Sequence, residues 1–279
     1  MTAPPTLDAL ATSHPEWRPW LRLYAEARAA LNDPTWASVI RYPSTETGAA
    51  PLLTDATIAV DARRAGRFLR SLLDALVEDR RAARSNRARI TDDEALALLA
   101  AAVAEDTTRI VTLAGALDTE PGALGVVATF AAMPVLHACR RSLADQLPGT
   151  WAHGYCPLCG AWPTLAEARG VERTRRFRCA RCGVEWYSEW LRCPYCQNAD
   201  HARLAALVGA DAGQGRRVDT CEMCRGYVKT LAVLRATPPE QIALVDLASV
   251  ELDIAALEKG YGRPSAPARV RPARVVRVR

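Results

Sequence analysis

The chain lacks the short motifs around which many enzyme sites are built. It has no Gly-x-Gly-x-x-Gly turn, no phosphate loop ending in Gly-Lys-Ser/Thr, no Gly-x-Ser-x-Gly elbow and no His-Glu-x-x-His helix. These absences argue against dinucleotide, phosphate-loop, serine-hydrolase and zinc-protease chemistry. Lysine is almost missing: Lys229 and Lys259 are the two present, so nearly all of the 36 basic residues are arginine. Alongside abundant alanine this reads as a coding bias, and the net charge of +5 is mild. The opening residues, Met1 to Pro15, carry no basic start followed by an apolar core, so no secretory leader is expected. Pro121 to Cys139 is a run of nineteen residues without a formal charge, enough by length to cross a bilayer. It contains Gly122, Gly125, Thr129, Pro134 and His137 and much alanine, so a buried helix is expected instead.

Cysteine is what the chain does have. Eight of its nine cysteines form four Cys-x-x-Cys pairs: Cys156/Cys159, Cys179/Cys182, Cys193/Cys196 and Cys221/Cys224. A Cys-x-x-Cys turn converges two thiolates on one ion, and two turns complete a tetrahedral four-sulfur site. Four turns therefore predict two metal ions. Nineteen residues separate Cys159 from Cys179 and twenty-four separate Cys196 from Cys221, each enough for a hairpin, against ten between Cys182 and Cys193. Two consecutive sites follow, Cys156/Cys159/Cys179/Cys182 and Cys193/Cys196/Cys221/Cys224, with an interleaved pairing as the alternative. Zinc and iron both accept four thiolates, so the ligands do not separate a zinc ribbon from a rubredoxin-type iron centre. His153, three residues before Cys156, is read as a neighbour of a complete site. His14, His137 and His201 share no ligand spacing, and Cys139 is read as a small buried apolar residue.

The half before the cysteines has helical periods. Trp17, Trp20, Leu21, Tyr24, Ala27 and Leu31 fall on one face of a helix over 16–31. A second helix is expected over 55–83, with Ile58, Phe68, Leu69, Leu72, Leu73 and Leu76 inward, and Pro43 to Pro51 as the loop before it. Thr91-Asp92-Asp93-Glu94 has the form of a capping box that opens a helix reaching about 106. This accounts for the three carboxylates without a catalytic role. A last helix over 121–146 begins at Pro121 and is expected to kink at Pro134. Leu147-Pro148-Gly149-Thr150 marks the boundary, after which the periods are short and strand-like.

In the second half, 173–178 and 184–190 are expected to pair as a hairpin, with Val184, Trp186 and Ser188 on one face and Glu185, Tyr187 and Glu189 on the other. Trp186 and Trp190 are read first as shielding for a small core and second as partner surface. Strands are expected at 203–208, 217–220, 227–234 and 242–247, with a flexible tip over 210–215. A helix over 249–259 is expected to pack Leu252, Ala255, Ala256 and Leu257 inward, stopped by Gly260.

Three runs carry a resemblance: Arg176-Phe177-Arg178-Cys179-Ala180-Arg181-Cys182-Gly183-Val184-Glu185-Trp186, Arg192-Cys193-Pro194-Tyr195-Cys196, and Thr220-Cys221-Glu222-Met223-Cys224-Arg225-Gly226-Tyr227-Val228-Lys229. With Asp246-Leu247-Ala248, Leu252-Asp253 and Gly260-Tyr261 they resemble the FdhE family of formate dehydrogenase accessory proteins over about residues 151 to 263. The resemblance implies a cytoplasmic, non-catalytic maturation factor. It implies two rubredoxin-like iron sites, one Fe per four-cysteine set with zinc as the alternative, whose ligands are the eight paired cysteines. It also implies that the catalytic subunit of a molybdenum- or tungsten-dependent formate dehydrogenase is the partner. The expected architecture is α+β: a helical domain (1–150), a first metal module (151–190), a second with a C-terminal helix (191–262), and a basic flexible tail (263–279) outside the family pattern. The competing reading is a nucleic-acid-binding zinc ribbon. It rests on Arg169, Arg173, Arg175, Arg176, Arg178 and Arg181 and on the tail arginines Arg263, Arg269, Arg271, Arg274, Arg277 and Arg279. A third, a dithiol redox enzyme, lacks a thioredoxin-like strand-helix context.

Overall fold

The computed structural model describes residues 5–41, 51–77, 90–208, 215–264 and 271–278. The Pro43–Pro51 loop and the 210–215 tip fall almost wholly outside these residues, as do the end of the second expected helix and part of the tail. Two compact units result, one centred on Leu7–Glu46 and Leu52–Gln146 with Arg271–Arg279, the other on Leu147–Val270. The fold is α+β, with the helices and the cysteine clusters in the expected halves.

The first unit contains α1 (Leu7–Ser13), α2 (Arg18–Ala30), β1 (Ser38–Arg41), β2 (Thr57–Val60), α3 (Ala62–Val77), α4 (Asp92–Ala104), α5 (Thr107–Ala116) and α6 (Pro121–Ser142). Leu21, Leu23, Tyr24 and Ala27 are the buried face of α2, and the edge of Phe130 from α6 meets the rings of Trp20 and Tyr24. The capping box that opens α4 is complete: Glu94 N donates to the Thr91 hydroxyl, and Thr91 N donates to the Glu94 carboxylate. That helix stops at Glu105, whose φ of 54° puts it in the left-handed region. Only α6 is long and apolar enough to cross a membrane among the described residues, and 72% of its most apolar stretch is buried inside the protein. Cys139 lies within it, fully buried.

Two expectations fail here. The helix placed over 55–83 begins only at Ala62, because Thr57–Val60 is a strand. Ile58 is buried as expected, but in a run of β-branched residues that pairs with other strands instead of coiling. The basic tail is not free where it is described. Arg274–Arg277 forms β9, parallel to β2 with Ile58 opposite Val275 and Ala59 opposite Val276, in the sheet order β1-β2-β9. Two adjacent valines give this arginine-rich segment its strand character.

The second unit is a six-stranded sheet in the order β5-β4-β3-β8-β7-β6. Its strands are β3 (Leu165–Arg169), β4 (Thr174–Arg178), β5 (Glu185–Tyr187), β6 (Leu204–Val208), β7 (Arg216–Cys221) and β8 (Tyr227–Val233). The two cysteine hairpins are joined by the parallel pairing of β3 with β8. β3 itself has no counterpart among the expected strands. Val184, Trp186 and Ser188 point inward and Tyr187 outward, as the alternation requires. Residues 242–247, expected as a strand, are the helix α7 (Ile242–Leu247), started by a single 3-10 turn at Pro239–Gln241. α8 (Val250–Glu258) follows and buries Leu252 and Ala256, whereas Ala255 and Leu257 face solvent. Ile242, Val245, Leu252 and Ala256 pack with Leu165, Val218, Tyr227 and Leu231 on one face of the sheet.

Candidate metal centre

Three of the four Cys-x-x-Cys turns share one local form. The residue after the second cysteine donates its amide to the carbonyl of the first: Gly160 to Cys156 at 3.0 Å, Gly183 to Cys179 at 2.9 Å, and Gln197 to Cys193 at 3.0 Å. That position takes a positive φ, 78° at Gly160 and 77° at Gly183, where glycine costs least. In the second pair of turns it is held by Gln197 (61°) and Arg225 (55°). Side-chain bonds offset the strain: the Gln197 amide donates to Pro194 O at 2.9 Å, and Arg225 donates to Glu222 and to Lys259 O.

The structure brings the eight sulfurs into two groups of four, Cys156/Cys159/Cys179/Cys182 and Cys193/Cys196/Cys221/Cys224, each group within 4.8 Å. This is the consecutive pairing, not the interleaved one. Cys156 and Cys182 Sγ lie 3.5 Å apart and Cys159 and Cys179 3.7 Å apart; in the second group Cys193–Cys224 is 3.6 Å and Cys196–Cys221 3.7 Å. A tetrahedral ion with metal–sulfur bonds of about 2.3 Å needs sulfurs about 3.8 Å apart, so both sets fit such an ion. Four sulfurs this close cannot all ionise with no cation among them. Burial pushes the Cys156 and Cys182 thiols well up, while hydrogen bonds from Cys156 and its neighbours hold Cys159 well below the usual thiol range. Burial likewise raises Cys224 to about 11. The groups differ in access: Cys156, Cys179 and Cys182 are buried, but Cys196 and Cys224 are exposed.

His153 stacks on Tyr155 with ring centroids 4.9 Å apart and belongs to neither group. It is one ring in a row. Tyr155 meets Trp162 at 6.1 Å, and Trp162 meets Tyr195, which lies inside the Cys193 turn, at 5.0 Å. Gly154 completes this contact, since any Cβ there would fall inside the backbone of Pro194.

Several of the residues outside the cysteines that carry the family resemblance form, with Arg263, an ion cluster centred on the buried Lys229. Lys229 Nζ, fully buried, sits 2.6 Å from carboxylate oxygens of both Asp246 and Asp253. Arg263 reaches the same two carboxylates at 3.2 and 2.9 Å. The Tyr227 hydroxyl donates to Asp253 at 2.8 Å, and the Tyr195 hydroxyl donates to Tyr227 O at 2.8 Å. Burial raises the Asp253 pKa, but Lys229 and Arg263 outweigh it and hold the carboxyl below its ordinary value. Tyr261 donates to Glu222, inside the fourth turn. Sequence spacing carried no sign that a lone lysine would be the centre of this cluster.

Two of the six arginines named in the first module, Arg175 and Arg178, are buried. Arg178 is buried and donates to the buried Glu167 at 2.7 Å, which also accepts from Arg169 at 2.6 Å and from Thr237 N at 2.9 Å. Arg175 is buried against Asp219 at 3.0 Å. In the tail, Arg271 pairs with Asp55 at 2.6 Å, and Arg277 pairs with Asp93.

Residues 191–268 match the family described as FdhE, C-terminal domain. A protein FdhE homolog of Stutzerimonas stutzeri is 32% identical over 111 residues, 39% of this chain and 35% of that protein. One from Aquifex aeolicus is 29% identical over 117 residues, 40% of each. The chain thus aligns with less than half the length of these curated relatives. The crystal structure of the FdhE protein from Pseudomonas aeruginosa superposes with a TM-score of 0.54 over 97% of this chain and 98% of that one, at 24% identity. Its likeness establishes the fold. The family match is confined to the second cysteine module, and the sequence likeness to these relatives spans about two fifths of the chain, so over that part the chain is similar to FdhE proteins.

Proposed function

We propose that this protein is a non-catalytic accessory factor in the maturation of formate dehydrogenase, acting in the cytoplasm and binding that enzyme's catalytic subunit through its cysteine-rich unit. The observation that carries the reading is the pair of four-sulfur groups, the second of which lies within the residues that match the FdhE C-terminal domain. All four positions around each ion would be filled by cysteine, which leaves none open for a substrate and favours a structural or electron-transfer centre over a hydrolytic one. Cys156, Cys159, Cys179 and Cys182 would hold one ion and Cys193, Cys196, Cys221 and Cys224 the other. We propose iron at both, which when bound supplies a one-electron couple that zinc does not. The protein's own residues tie the turns to the sheet: the Lys229 cluster, and the Tyr155–Trp162–Tyr195 rings between the groups. A reducing compartment keeps the thiols available as ligands.

The test is genetic and chemical together. Removing the protein from a bacterium that makes a molybdenum or tungsten formate dehydrogenase should abolish most of that activity. Returning the wild-type chain should restore it, and returning Cys156→Ser/Cys159→Ser should not. Anaerobically purified protein should carry two irons per chain. Full formate dehydrogenase activity without the protein would overturn the accessory role; two zincs and no iron would overturn the choice of metal.

A further inference from the structure

α7 and α8 cover one face of the six-stranded sheet; the opposite face of the same unit holds a cleft. Alternate positions place Arg175, Arg217, Asp219 and Thr230 there, opposite in parity to Lys229 and Leu231, which face the helices. One carboxylate serves two guanidiniums. Asp219 lies 3.0 Å from Arg175, whose side chain is 2% exposed, and 2.8 Å from Arg217 Nε. It also accepts from the Thr230 hydroxyl at 2.6 Å. Trp190 lies over both cations, 5.4 Å from Arg175 and 4.6 Å from Arg217. On either side of Trp190 open cavities of about 220 and 380 Å³, and Arg217 lines both. The two terminal nitrogens of Arg217 have no partner among the described residues. Their cationic end is left to face the cleft.

Beside the cleft runs β6, an edge of the sheet. Its sequence, Leu-Ala-Ala-Leu-Val, has no charge, no proline and an unbroken register with β7. Charge, proline and bulges are the devices that normally protect an edge from further pairing, and β6 has none of them. Glu222 N donates to Arg203 O at 2.9 Å, in the same ladder that pairs Ala205 with Thr220 and Leu207 with Val218. Main-chain groups alternate along a strand, so those of Ala206 and Val208 point away from β7. Ala206 lines the smaller cavity and Val208 the larger, and Val208 is 55% exposed.

We propose that β6 receives an extended segment of another polypeptide as a seventh strand, with an aspartate or glutamate of that segment placed in the cleft against Arg217 beside Trp190. The main chain would supply affinity and the carboxylate specificity. A second copy of this chain is the poorer occupant, since β6 carries no carboxylate and two-fold pairing would set Arg217 near its own copy. The chemistry of the segment is independent of which protein carries it.

The experiment uses the full chain with zinc in both sites, and a displayed library of random nine-residue segments as the probe. Enriched segments should alternate β-branched or aromatic residues with Asp or Glu. Labelled peptides made from them should bind about tenfold or more weakly to Arg217→Gln, as loss of a hydrogen bond to a charged group predicts. They should bind comparably weakly to Ala206→Pro, which removes an outward amide and no ladder bond. Both variants should keep two zincs and the wild-type unfolding temperature. The inference is overturned if no segment enriches, if enriched segments lack carboxylates, or if binding is unchanged in either folded variant. Loss of formate dehydrogenase maturation is not a readout here, so this inference and the accessory role fail separately.

Discussion

Lys229 is one of two lysines in an arginine-rich chain, and the fold gives a reason for its place. A flexible ammonium can donate to Asp246 O and to two carboxylates from a fully buried position, where a planar guanidinium would need a different cavity. Replacing it with methionine strands Asp246 and Asp253, with Arg263 alone to neutralise them. A loss of about 3 kcal/mol at pH 7 is expected, measured by urea unfolding of the metal-loaded protein. The sign of the pH dependence follows from Asp253. Its folded pKa is depressed, so its contribution is full above the ordinary carboxylate pKa and lost as pH falls through the folded value. The gap between wild type and Lys229→Met should therefore be constant near neutrality and narrow in acid. At the same scale, the exposure of Cys196 and Cys224 predicts an order of metal loss. A chelator should strip the second group first, read as a fast phase that disappears in Cys193→Ser/Cys196→Ser. A single phase for both groups would contradict it.

At the scale of elements, the two cysteine hairpins form one sheet instead of two separate ribbons, because β3 and β8 pair in parallel between them. Gly154, two residues before the first turn, lies directly on Pro194 inside the third. Gly154→Ala should therefore weaken metal retention in both groups, by the roughly 1 to 3 kcal/mol typical of overpacking, or about ten- to a hundredfold in chelator competition. Loss confined to the first group would show that the turns are not coupled. The turns themselves were legible, since Cys-x-x-Cys spacing nearly determines their local geometry. Two of their left-handed positions were less so, because Gln197 and Arg225 stand where glycine is expected and are held by side-chain bonds across 3 to 34 residues. The run Ile242–Leu247 misled because β-branched residues suit a buried strand as well as a short helix, and the 3-10 turn before it decides.

At the scale of the molecule, the α+β division and the cysteine groups followed from periods and spacing, which are local. What did not follow were pairings between distant segments. β9 is the clearest case. Arginine and proline dominate residues 263–279, yet Arg274–Arg277 closes a sheet with a strand more than two hundred residues earlier. Ending the chain after residue 270 should lower the unfolding temperature of the helical unit by at least about 3 °C and leave metal content unchanged. No shift in a calorimetric scan would restore the free-tail view. The buried ion pairs of Arg175 and Arg178 were hidden for the same reason, as Asp219 and Glu167 lie on other strands.

Co-purification under anaerobic conditions tests the central claim most directly. A tagged form of this protein, made in a cell that produces formate dehydrogenase, should bring down that enzyme's catalytic subunit. Cys156→Ser/Cys159→Ser should lose the subunit along with the first metal ion. Recovery of the protein with both ions and no formate dehydrogenase subunit would contradict the account.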